Sequence, residues 1–255
     1  MGNETKELIY IHLHASERFV VSCGISFAEF YKAQSEPLQH LLLLKHRYKD
    51  ADFNMNTLLE YVNKEDISNL VKKDLDLSGD FCWIDFEDES GLNALNGQEL
   101  AELLYLGHCK HHLRQPFYRM LKNDFVYLSH DDYWFNKTYY RKLDYFFDVL
   151  GTIISNKLQS LKAEKNWFSI RKKNEYEVIP NSILIKLSSL MAEGLVFSFE
   201  KLSKTRQRLE IPMWVIGDYV NMDEVAEDYI EKRQSEPDAV LVYTKKTKEW
   251  SLELK

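Results

Sequence analysis

Apolar positions recur most regularly between Lys137 and about Lys165. Within this stretch they follow one another at steps of three and four residues, as Leu143, Phe146, Phe147, Leu150, Ile153, Ile154, Leu158 and Leu161. This spacing predicts an α-helix with one broad apolar face. At 1.5 Å per residue the helix would be roughly 40 Å long. Because such a face is unstable in water, we expect the rest of the chain to pack around this helix.

Alternating or continuous apolar runs predict strands before and after that helix. ELIYIHLH at 7–14 alternates and places Tyr10, His12 and His14 on one face. Further predicted strands are RFVVSC, HLLLLKHRY, FCWIDF, DFVYLSH, GLVFSF and RLEIPMWVIGD, with a closing hairpin at 240–254. Residues 55–73 are predicted to form one or two amphipathic helices. Ser26 and Glu29 form a capping-box pattern, and Asn96 precedes another helix.

The irregular alternation of strands and helices predicts an α+β fold. We expect mixed or antiparallel sheet segments packed around one long central helix, with a further α+β portion at the C-terminus. Residues 166–180 have no clear period and end in Pro180, so they are predicted as a linker or loop. The predicted organisation is therefore a main domain at 1–165 and a C-terminal subdomain at 181–255, which pack on each other or remain separate.

Composition narrows the class of protein. The chain of 255 residues is 45% hydrophobic and 29% charged, which is typical of globular proteins. No run approaches 18 apolar residues without charge, and the N-terminus lacks a signal-peptide pattern. Cys23, Cys82 and Cys109 lie in apolar segments, as buried free thiols of a reducing cytosol do. These features predict a cytoplasmic protein, and the net charge of −7 disfavours a general affinity for polyanions.

The most chemically suggestive cluster is GHCKHH followed downstream by HDD. On a helix, His108 and His112 project from one face, as in helical metal sites. His130 and Asp131 would add a third nitrogen and a carboxylate, and a metal held there could activate a water for hydrolysis. The pattern contains no HExxH signature. We favour the structural alternative, in which His108 extends a core-facing helix face and HDD forms a turn and a helix cap.

A basic segment follows the long helix and contains aromatic residues as well. Its candidate contact residues are Lys162, Lys165, Trp167, Arg171, Lys172 and Lys173. Together with a wing at 201–208, this region (157–208) has the ingredients of a nucleic-acid contact. However, lysines near a helix C-terminus are expected from the helix dipole alone. The acidic helix predicted at 222–233 would also neutralise the region, so nucleic-acid binding is a subordinate hypothesis.

Two smaller pairs share a strand face. Asp85 and Glu87 could act as an acid–base pair or hold a cation, although acidic residues at a strand end more often form a solvated edge. His12 and His14 are also two residues apart, but no third ligand accompanies them in the sequence. We expect structural roles for both pairs.

Several phrases resemble a family of uncharacterised cytosolic proteins of Gram-positive bacteria: GDFCWIDFEDESGLNALNGQELAELLYLGHCKHHLRQPFY, FVYLSHDDYWFNKTYY and IPMWVIGDYV. The resemblance covers most of the chain and implies a cytosolic setting, but no activity. Some members carry the label "oxalate:formate antiporter". That label is incompatible with a sequence that contains no apolar span.

The sequence contains no nucleotide-binding or nucleophile motif. We therefore expect a soluble, non-catalytic interaction or regulatory factor whose partner is another protein, with no cofactor. The first alternative is a metal-dependent hydrolase that uses the His/Asp cluster and a divalent metal. The second is a nucleic-acid-binding protein that uses 157–208.

Overall fold

The computed structural model describes residues 7–45, 48–72, 80–109, 114–130, 135–165, 176–219 and 221–255. Its strands are β1 (Leu8–His14), β2 (Phe19–Cys23), β3 (His40–Leu44), β4 (Asp52–Asn54), β5 (Leu59–Asn63), β6 (Phe81–Phe86), β7 (Phe125–His130), β8 (Phe135–Tyr140), β9 (Leu195–Ser198), β10 (Ser203–Lys204), β11 (Arg208–Val215), β12 (Ala239–Thr244) and β13 (Glu249–Leu254). Its helices are α1 (Phe27–Lys32), α2 (Lys64–Lys72), α3 (Glu89–Asn93), α4 (Gly97–Cys109), α5 (Leu143–Lys165), α6 (Asn181–Leu184), α7 (Ser188–Met191) and α8 (Met222–Lys232), with a 3₁₀ turn at Ile185–Leu187.

The chain divides into two compact units. Unit one comprises Met1–Leu13, Cys23–Ile25 and Asp144–Lys255, and unit two comprises His14–Ser22 and Ser26–Leu143. This division differs from the predicted segments 1–165, 166–180 and 181–255. The physical reason is that β1 pairs with β9, which adds an N-terminal strand to the C-terminal part of the chain.

In unit one the strand order is β13-β12-β11-β9-β1, and β10 pairs with β11. The described pairings are antiparallel. The predicted closing hairpin is confirmed as β12 and β13. Both faces of β1 are buried over most of its length, so its alternating pattern does not mark a solvated face.

In unit two the strand order is β2-β8-β7-β6-β3-β5-β4. Its core includes Phe19, Leu42, Leu44, Ile84, Leu103, Leu106, Val126, Leu128 and Tyr139. Phe27 of α1 packs edge-on against Trp83 of β6, with ring centroids 4.5 Å apart. The predicted capping box at the start of α1 is confirmed, because Ser26 accepts from the Glu29 amide and Glu29 accepts from the Ser26 amide.

The predicted start of the long helix at Lys137 is wrong. Residues 135–140 form β8, which pairs with β7 from Phe125↔Tyr140 to His130↔Phe135. The helix α5 begins at Leu143 and has 23 residues. Its expected apolar positions Phe146, Leu150 and Ile154 are buried. The fold is α+β, but extensive antiparallel sheet dominates it, and the role of α5 as the central element is not confirmed.

The prediction of helix over 55–73 is wrong in its first half. Residues 59–63 form β5, which lies between β3 and β4, and only Lys64–Lys72 is helical. The segment LLEYVN is compatible with either period, and pairing on both edges favours the strand. Among the described residues, no helix combines the length and apolar character needed to cross a membrane.

Candidate interaction surface

The His/Asp cluster predicted from the sequence is only partly within the described residues. His108 lies exposed in the last turn of α4, and His130 ends β7 opposite Phe135. His112 and Asp131 lie outside the described residues. Over the described part of the chain, the group of side chains spaced to hold a metal contains neither His108 nor His130.

Much of the predicted basic contact also lies outside the described residues. Trp167, Arg171, Lys172 and Lys173 fall there, as do the side chains of Lys162 and Lys165 at the end of α5.

Two described cations of this region make contacts within unit one. Lys157 donates to the Gly24 carbonyl, and Arg208 forms an ion pair with Glu253 at 2.6 Å. The ion pair with Glu253 neutralises one of the charges that the nucleic-acid hypothesis requires, and the Gly24 contact holds the Lys157 ammonium against the backbone of unit one.

Asp85 and Glu87 each make a separate structural contact. The Asp85 carboxylate accepts from the Asp124 amide at 2.9 Å and from the Phe125 amide at 2.8 Å. Glu87 forms an ion pair with Lys122. Burial of the Asp85 carboxyl raises its pKa to about 7, although the amide donors act in the opposite direction. Asp85 therefore anchors the turn before β7, and the two carboxylates do not form a matched acid–base pair.

Among the described residues of unit two, large apolar side chains are exposed in the β4–β5 hairpin, on α4 and at Met120. The turn between β4 and β5, together with β4 itself, exposes Phe53 (50%), Met55 (77%) and Leu58 (67%). Helix α4 exposes Leu104 (50%) and Tyr105 (40%). We call these five residues the hairpin–α4 patch. Exposed apolar groups of this kind commonly mark interaction sites.

The two parts of the hairpin–α4 patch meet at a cavity. Leu58 and Leu104 both line a cavity of about 260 Å³, whose floor includes Leu44 and Gly107. A Cβ atom built on Gly107 would lie 3.2 Å from the Leu44 Cβ, so glycine permits the close approach of α4 to β3. Lys45, Glu60 and His108 supply polar groups around the same cavity. The site thus has an apolar centre and a polar border, as protein interfaces do.

Asn54 holds the hairpin in a fixed shape. Its Oδ1 accepts from the amides of Asn56 at 3.1 Å and Thr57 at 3.0 Å, and its Nδ2 donates to Asn93 Oδ1 at 2.9 Å. Asn54 itself is only 6% exposed. Leu58 has φ +59°, a left-handed conformation that is costly for a leucine. The hydrogen bonds of Asn54 therefore help to hold an exposed leucine in an otherwise unfavourable backbone conformation.

The histidine pair His12 and His14 has a neighbour in the structure that the sequence does not suggest. His12 and His14 lie on β1, and Asp218 Oδ1 of unit one is 2.7 Å from His12 Nδ1. Asp218 is more than 200 positions away in the chain, so no local pattern could have identified it. Its side chain is 67% exposed.

Comparison with known proteins adds no relative. No family model matches the chain, and neither a curated protein nor a solved structure matches it. Functional inference therefore depends on the geometry of the molecule itself.

Proposed function

We propose that this protein works by binding another protein through the hairpin–α4 patch, as a non-catalytic interaction factor. The observation that carries the proposal is the pair of exposed leucines, Leu58 and Leu104, on either side of one cavity. The partner would insert an apolar anchor side chain between them. Anchors that fill such pockets supply most of the binding energy in many protein interfaces.

The size of the cavity favours a side chain over a small-molecule ligand. Its volume of about 260 Å³ lies below the roughly 300–1,000 Å³ of ordinary ligand pockets. Its lining is also polar on one side, where Lys45 and Glu60 lie. These groups could pair with polar atoms that flank the anchor of the partner.

The expected affinity is modest. Complete burial of a leucine or phenylalanine side chain contributes about 1.5–3 kcal/mol. The five residues of the patch are already partly covered, so about 1 kcal/mol each, or roughly 5 kcal/mol in total, is available. Association costs an estimated 4–15 kcal/mol before any net affinity appears. The patch therefore supports a transient complex, which additional polar contacts would have to complete.

Site-specific photo-crosslinking in cells tests the proposal. A photoreactive phenylalanine analogue replaces Tyr105 in the patch, and in a control protein it replaces Ile185, which is 46% exposed in unit one. We expect a discrete adduct with one other protein from position 105 and none from position 185. The double variant Leu58→Asp/Leu104→Asp should reduce that adduct at least tenfold, since the loss of about 1.4 kcal/mol is sufficient.

Three results would contradict the proposal. The first is no adduct from position 105 at normal cellular levels of the protein. The second is an adduct of the chain with itself alone, which would make the patch a self-association surface. The third is an adduct whose yield is unchanged by the aspartate variant. Circular dichroism of that variant checks that the fold is retained, as expected for exposed positions.

A further inference from the structure

Three potential metal ligands converge at the end of β1. His12, His14 and Asp218 each offer one ligand atom, and these atoms all lie within 4.8 Å of one another. His12 is buried, His14 is half-buried and Asp218 is exposed. Because His14 lies two residues beyond His12 in the same strand, the strand itself sets the spacing of the two imidazoles.

The hydrogen bonding of His12 determines which of its nitrogens faces the cluster. Nε2 lies 3.1 Å from the Ala192 carbonyl, which can only accept, so Nε2 carries a proton. In the neutral ring Nδ1 then holds a lone pair, and this atom lies 2.7 Å from Asp218 Oδ1. A lone pair and a carboxylate repel each other at that distance. A metal ion bound to both Nδ1 and the carboxylate would replace this repulsion with two ligand bonds.

The carbonyl contact is itself the arrangement expected of a metal ligand. Histidines that bind metals commonly donate their second ring N–H to a carboxylate or a backbone carbonyl, which fixes the tautomer and the ring orientation. A simple ion pair between His12 and Asp218 needs no third group. His14 supplies one, and this distinguishes the cluster from an isolated imidazolium–carboxylate contact.

The segment that carries Asp218 is held firmly against β1. The Tyr10 hydroxyl donates to the Gly217 carbonyl at 2.9 Å and accepts from the Tyr219 amide at 3.1 Å. On the other side, the Ile216 amide donates to the Gly194 carbonyl at 2.9 Å. Tyr10, His12 and His14 alternate along β1, so one strand face both anchors the segment and presents the imidazoles.

We propose that His12, His14 and Asp218 form a binding site for a borderline divalent ion of the zinc class. Two imidazoles and one carboxylate are typical ligands for such ions, and three protein ligands leave one coordination position open. Tetrahedral bonds of about 2.0–2.1 Å require ligand atoms roughly 3.3 Å apart. Shifts of about 1 Å in the ligand atoms would bring them from the described positions to this spacing. The exposure of Asp218 gives solvent access to the open position. This site is independent of the hairpin–α4 patch.

Titration of the full chain with Co²⁺ and then with Zn²⁺ tests the site. We expect a tetrahedral Co²⁺ absorption spectrum at one equivalent, which Zn²⁺ displaces at one equivalent. His14→Gln and Asp218→Asn should each weaken Zn²⁺ binding at least a hundredfold, measured by competition with a chelating indicator. These two residues are chosen because neither is fully buried, whereas substitution of His12 could unfold the chain.

Matched controls are His108→Gln and Asp223→Asn, which remove an exposed histidine on α4 and an exposed aspartate on α8. Both should leave the affinity within about twofold of the original value. The proposal is overturned if no ion binds at micromolar concentration, which would leave an ion pair only. It is equally overturned if His108→Gln abolishes binding while His14→Gln does not, which would place the metal elsewhere.

Discussion

Replacement of Asp85 by Asn should stabilise the protein at alkaline pH and have no effect at acidic pH. Burial raises the pKa of the Asp85 carboxyl from 3.8 to about 7, while the amide donors of 124 and 125 lower it by less. The folded protein therefore binds an extra proton between about pH 4 and pH 7. Stability from this group is fully present below pH 4 and is lost as the pH rises through about 7.

The expected change in the free energy of unfolding follows from the pKa shift of Asp85. Each pH unit of pKa difference corresponds to about 1.4 kcal/mol, so the ionised carboxylate costs about 4 kcal/mol relative to its protonated form. Asparagine resembles the protonated form and keeps one oxygen for the Phe125 amide. We expect Asp85→Asn to match the original protein near pH 4 and to exceed it by up to about 4 kcal/mol above pH 8.

Urea unfolding at pH 4, 5.5, 7 and 8.5 measures this difference. The matched control is Glu87→Gln, whose carboxylate is half-exposed and pairs with Lys122, and which should change stability by less than about 1 kcal/mol. A second readout is the titration of the Phe125 amide proton by NMR. If Asp85→Asn is destabilising above pH 8, the amide donors outweigh burial, and the reasoning is wrong.

The remaining predictions concern single structural contacts. Gly194 has φ +83°, and a Cβ there would lie 1.7 Å from the Gly217 carbonyl oxygen, so Gly194→Ala should lower the thermal midpoint sharply. By contrast, a Cβ at Gly97 would meet nothing within 4 Å, so Gly97→Ala should be neutral or stabilise by up to about 1 kcal/mol. Asn123 is fully buried with three main-chain partners, so Asn123→Ala should cost about 2–4 kcal/mol in urea unfolding. Ser26→Ala removes a helix cap and should cost about 1 kcal/mol in the same assay. An unchanged midpoint or unfolding free energy for Gly194→Ala, Asn123→Ala or Ser26→Ala would refute the corresponding contact.

Short sequence patterns correctly predicted the elements that depend on residues close together in the chain. The capping box at Ser26 and the strand FCWIDF were readable because caps and buried β-branched or aromatic runs have short-range signatures. Residues 137–140 show the limit of this reasoning. KTYY continues the helical period of α5, but those residues gain a complete ladder of hydrogen bonds by pairing with β7.

The proposed interaction surface was only partly predictable. The sequence led us to expect contact through basic residues, and those residues lie mostly outside the described part of the chain. Leu58 and Leu104 appeared in the sequence as ordinary members of apolar helix faces. Their exposure arises because 59–63 forms a strand, which places Leu58 in a turn, and because α4 directs Leu104 away from the core.

The sequence by itself determined the α+β class, most strands, the caps and the face that Tyr10, His12 and His14 share along β1. These depend on the periodicity and chemistry of residues that are close in the chain. Only the tertiary structure decided that β1 pairs with β9 and that Asp218 lies beside His12. The reason is that contacts across about 200 residues are selected by the packing and hydrogen bonding of the whole sheet, which no short segment encodes.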